Sequence, residues 1–90
     1  MNLSPHAKIL LATACEYSVK QIINNSKNVD NNKYIAINGK QMNYEGYESY
    51  SLWLVALEEL EQKGFVKQAN EMVYNVTHEG LMENKNQASN

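Results

Sequence analysis

The chain has 90 residues, 43% of them hydrophobic, one cysteine and a net charge of −2 at neutral pH, which limits it to one small domain around one core and excludes an internal disulfide. All eight basic residues are lysines, so the planar fork that reads guanine edges and clamps phosphate is missing, and the negative balance gives no long-range pull on polyanions. No apolar run approaches the roughly 18–20 residues needed to cross a bilayer, and the first residues lack the succession of a secretory signal; a cytoplasmic protein without membrane contact is expected.

The first element has a legible start. Ser4 is placed to cap a helix and Pro5 suits its first position, where a missing N–H costs nothing. This helix is expected to run to about Tyr17, with Ala7, Ile9, Leu10, Leu11, Ala14 and Tyr17 forming a broad apolar face suited to more than one neighbour. From Val19 to Ile23 the pattern turns β-branched, and a second such run follows at Tyr34 to Ile37. Asn38-Gly39 supplies the positive φ angles of a tight hairpin turn, with "KQMNY" as the returning strand. The asparagine-rich connection, residues 24–33, is too polar to pack and reads as a mobile surface loop.

The strongest helix is expected from about Glu48 to Lys63. Trp53, Ala56, Leu57 and Leu60 recur at helical spacing, Leu52 and Leu54 widen the face, and Glu58, Glu59 and Glu61 line the other side. Gly64 sits where a left-handed residue ends a helix. "FVKQ" and "MVYNV" read as two strands joined by "ANE", after which Thr77 caps a short terminal helix reaching Met82. Residues 1–82 thus form a single domain of α+β class, and residues 83–90 a disordered tail with nothing to bury.

The segments "ALEELEQKGFVKQ" and "MVYNVTHEGL" resemble the helix, hairpin and capped terminal helix of the winged-helix superfamily. In that superfamily a Leu-rich helix runs into Gly, then an apolar pair, then a strand of the form Tyr-x-Val/Leu-Thr-x-x-Gly. "LSPHAKILL" and "INGKQM" are similar to the front of small winged-helix modules of bacterial proteins, so the resemblance covers about residues 3–82. It implies an order of helix, small sheet or hairpin, helix, two-stranded wing and short C-terminal helix. In DNA-binding members the helix before the wing enters the major groove, which here would be residues 48–63.

The sequence departs from that use at two points. Strand-like "YIAINGKQM" stands where such members carry the short helix of the helix-turn-helix, and the would-be recognition helix is acidic on its exposed side, where each carboxylate opposes phosphate. The wing offers only Lys67 against Glu71. Charge is also divided along the chain: residues 1–44 hold five lysines against Glu16 and Asp30, and residues 45–90 three lysines against eight glutamates.

Enzyme chemistry finds little support in the residue types. His6 and Cys15 fall on opposite faces of the first helix at about 100° per residue, so they cannot pair as base and nucleophile within it. His78 reads as a first-turn residue behind Thr77, no metal-ligand spacing occurs, and "NGK" at 38–40 lacks the glycines of a phosphate loop. Glu58 and Glu61 make a carboxylate pair without a cleft. No catalytic residue, metal or cofactor is expected.

Two functions remain. One is a protein-interaction or accessory module that binds a protein partner or another copy of itself, through an aromatic group of Tyr44, Tyr47, Tyr50 and Trp53 or through a sheet edge at residues 19–23. The other is a DNA-binding regulator, which the charge layout would force to use Lys20, Lys27, Lys33 and Lys40 on the front hairpin and its loop, with the acidic helix facing away.

Overall fold

A computed structural model of the chain describes residues 3–26, 33–42 and 46–88. Among them are three helices, α1 (Pro5–Cys15), α2 (Gly46–Gln62) and α3 (His78–Ala88), and five strands, β1 (Gln21–Asn25), β2 (Tyr34–Ile37), β3 (Lys40–Gln41), β4 (Val66–Gln68) and β5 (Val73–Val76). The class is α+β, with one antiparallel sheet of order β3-β2-β1-β5-β4.

The sheet register follows the apolar alternation. Ile23 pairs with Ala36 and Asn24 with Ile35, while Ile22 pairs with Tyr74 across the other edge of β1. Because paired residues share a face, Ile22, Asn24, Ile35 and Tyr74 project together. Ile22, Ile35, Ile37 and Val66 meet Leu10, Leu11, Leu57 and Leu60 of the helices in a fully buried core. Each such side chain contributes about 1.5–3 kcal/mol by leaving water. In the helix layer α1 packs against both α2 and α3, which barely meet each other.

Local chemistry fixes the element ends. Ser4 caps α1, accepting at Oγ from the Ala7 amide (3.3 Å), with Pro5 at the first position. Asn38 and Gly39 have φ of 52° and 81°, the pair of positive values that a type I′ hairpin demands. At the end of α2, Gly64 has φ 78°; its amide donates to Glu61 and that of Phe65 to Leu60. These are the two bonds of a Schellman closure, with the Leu60 and Phe65 side chains both part of the core or packed on it.

The C-terminal corner is tighter. Thr77 Oγ1 accepts from the Gly80 amide (3.0 Å), donates to the Gly64 carbonyl (2.6 Å), and the Thr77 amide donates to the Phe65 carbonyl (3.0 Å). The first turn of α3 therefore stacks directly on the start of β4. A Cβ at Gly80 would overlap the Phe65 carbonyl oxygen and lie 3.0 Å from Val76 Cγ1. The Thr-x-x-Gly spacing is thus a packing requirement.

Several sequence expectations need correction. α1 ends at Cys15 rather than Tyr17, and the first strand is displaced to residues 21–25, so Asn24 and Asn25 belong to β1 and not to a polar loop; residues 27–32 of that loop lie outside the described residues. β1 is bonded on both sides, by β2 and β5, so it offers no sheet edge. α3 extends to Ala88 where a disordered tail was expected from residue 83. Two features support that extension: Gln87 bonds Glu83 one turn back, and Lys85 sits in the last turn, where a cation suits the helix dipole.

Candidate functional site

The surface that needs explaining is the outer side of the helix layer. In α2, Tyr50, Ala56, Leu57 and Leu60 are buried, so residues about half a turn away face water. These are Leu52, Val55, Glu58 and Gln62. Leu52 is 55% exposed and Val55 62% exposed; Leu52 does not widen the buried face as its sequence position suggested. The outward surface of α2 is therefore a one-turn apolar pair continued by a carboxylate.

α1 crosses α2 at two recognisable contacts. The Ser4 amide and hydroxyl both donate to the Glu59 carboxylate, at 3.0 and 2.7 Å, and Glu59 in turn meets Lys63 at 3.4 Å. The hydrogen bonds from Ser4, hydroxyl first, hold the Glu59 carboxyl below its ordinary range, with Lys63 adding to the effect against partial desolvation. Nearby, His6 sets its ring edge-on to Trp53, with centroids 4.8 Å apart and planes at 71°. Trp53 is part-buried and packs on the core. Of its two readings, core residue and interface anchor, the packing fits the first.

On α1 the outward positions include Ile9, 50% exposed, and Ala12. With Lys8 they form one wall of a groove of about 350 Å³ whose other wall is Asn84 and Gln87 of α3. Lys8 is the only charged residue in that lining among the described residues. The exposed helical side of this chain thus pairs an apolar ridge bearing Glu58 with a groove that has Ile9, Ala12 and Lys8 on one wall and Asn84 and Gln87 on the other.

Of the aromatic group anticipated from sequence, Tyr50 and Trp53 have described side chains. Tyr50 is 3% exposed, and its hydroxyl donates to Asn24 Oδ1 (2.8 Å) inside the core. It is a packing residue because Asn24, the one buried polar residue described, needs that donor. Tyr44 and the Tyr47 side chain lie outside the described residues. Asn24 also bonds the Tyr74 hydroxyl, which partly offsets the upward shift that burial and then Glu61 impose on the Tyr74 phenol.

Of the basic residues of the front, Lys20, Lys33 and Lys40 are described. Lys20 precedes β1 and its Nζ donates to the Tyr17 carbonyl (2.6 Å). Lys40 lies on β3 opposite Ile37, at the same end of the sheet, whereas Lys33 precedes β2 at the other end. Lys27 lies outside the described residues. Cys15 is part-buried, and burial pushes its thiol up despite the counteracting Lys20 charge, the opposite of an activated nucleophile. Among the described residues no group of three His, Cys, Asp or Glu side chains could hold a metal, and no helix is long and apolar enough to cross a membrane.

Sequence reasoning missed Asn24 and Glu59. A polar residue in a run of asparagines carries no mark of burial, and one glutamate among three gives no sign that it serves another helix. No family model matches the chain, and no curated protein or solved structure matches it.

Proposed function

We propose that the chain is a non-enzymatic, winged-helix-like protein-interaction or accessory module that works through the outer surface of its helices. The element order supports the winged reading: α1, β1, α2, the β4–β5 hairpin and α3 follow one another, with β1 beside β5 and β5 beside β4. The β2–β3 hairpin occupies the interval in which a helix-turn-helix would place a helix. The wing turn is small, with Asn70 Oδ1 accepting from the Met72 and Val73 amides.

The observation that carries the proposal is the outward face of α2. A helix that reads duplex DNA meets a polyanion and needs cations there, because counterion release supplies most of the affinity. This helix presents Leu52, Val55 and Glu58 instead. Exposed aliphatic residues beside carboxylates suit a protein surface and oppose a polyanion. Shared architecture alone would not transfer an activity in any case.

Fluorescence anisotropy with a random-sequence duplex at low salt tests the reading. The expected result is no saturable binding tighter than roughly tens of micromolar, the range of weak non-specific association. Low-micromolar binding that weakens steeply with salt would replace the interaction module with a nucleic-acid binder, docked through Lys20, Lys33 or Lys40.

A further inference from the structure

The ridge and the groove on the helical side have matching chemistry. The ridge carries Leu52 and Val55, one helical turn apart, with Glu58 a further turn along the same side of α2. The groove has Ile9, Ala12 and Lys8 of α1 on one wall and Asn84 and Gln87 of α3 on the other, with Lys8 its single charge among the described residues. Neither Lys8 nor Glu58 has an ion-pair partner among the described residues. Both features lie on one layer, since α1 packs directly against α2.

We propose that a second copy of this chain occupies the groove, in a two-fold dimer where each α2 ridge seats against the other copy's α1 and α3. The ridge places Leu52 and Val55 over Ile9 and Ala12 of the partner subunit and brings Glu58 to Lys8 of the partner subunit. A two-fold axis makes the contact reciprocal, so one chain satisfies both halves of the match and the assembly closes at two copies. Aliphatic knobs over Ile9 and Ala12 supply the attraction, and the oppositely charged pair selects the orientation, since the reverse docking would leave Glu58 and Lys8 apart and unpaired. The proposal rests on the interaction reading above and adds the identity of the partner.

Sedimentation velocity of the full chain over a broad concentration range is the test. A reversible monomer–dimer equilibrium is expected, with a dissociation constant on the order of tens of micromolar for a contact at the small end of specific interfaces. Val55→Asp removes the dimer at every concentration while circular dichroism and thermal unfolding stay as in the unsubstituted chain, because Val55 is already in water. Leu52→Ser provides an independent variant with the same expected loss. Lys8→Glu and Glu58→Lys each weaken the dimer by about tenfold, and the double exchange restores it. A wild-type chain that stays monomeric throughout, a dimer that survives Val55→Asp, or a double exchange that fails to rescue would each overturn the proposal. The duplex titration does not depend on any of these results, so the interaction reading stands or falls separately.

Discussion

The corner joining α2, β4 and α3 and the front sheet of β1 to β3 are held by different means. The corner is specified by backbone chemistry: Gly64 turns left-handed, Thr77 ties three backbone groups together, and Gly80 lets a helix lie against a carbonyl. At the front, β1 is held by side chains contributed from far along the chain, with Tyr50 of α2 reaching Asn24 over 26 residues of sequence. A corner closed against backbone atoms tolerates no added atom. A strand that also keeps its pairing with β2 and β5 should lose less when one remote hydroxyl is removed.

Substitutions can break this contrast in order of size. Gly80→Ala drives a methyl group into the Phe65 carbonyl, which belongs to the backbone and cannot rotate away; a loss of about 2–3 kcal/mol is expected, read as a fall of roughly 8–24 °C in the unfolding midpoint. Tyr50→Phe keeps the ring in the core but deprives Asn24 Oδ1 of its donor, with an expected cost of about 1–2 kcal/mol in urea unfolding. If the two losses were equal, the distinction between backbone and remote side-chain control would fail.

Glu59→Gln sharpens the comparison at the seam between α1 and α2. The amide still accepts from Ser4 but loses the charge that strengthens both bonds and favours the N-terminus of α1; about 0.5–1 kcal/mol is expected. The sign with pH follows from the lowered carboxyl pKa. The contribution is present above the unfolded-state value and is lost as the pH falls through the lower folded-state value. Wild type and Glu59→Gln should therefore differ at neutral pH and converge in acid, as thermal unfolding across that range would show. Smallest of all, Lys40→Gln at the exposed β3 edge should change stability by less than about 0.5 kcal/mol.

The same contrast explains what could be read from sequence. The Ser4-Pro5 start, the Asn38-Gly39 turn, the Gly64 stop and the Thr77 cap were legible because each depends on one or two residues with special backbone preferences. Helix and strand type followed from apolar spacing at α2, β2 and β5. Burial of Asn24, the bidentate grip of Glu59 on Ser4 and the interior position of Tyr50 depend on contacts between distant segments, and no local pattern encodes them. The proposed surface is half legible. The acidic side of α2 shows in the sequence, but Leu52 faces water although an aliphatic residue next to Trp53 looks like core in one dimension.

The central claim is that the outward face of α2 is not a nucleic-acid surface, and residue-resolved nuclear magnetic resonance tests it most directly. With ¹⁵N-labelled protein and duplex DNA added at low salt, amides of residues 51–62 should keep their positions through the titration. Progressive, salt-sensitive shifts concentrated in those residues would contradict the account.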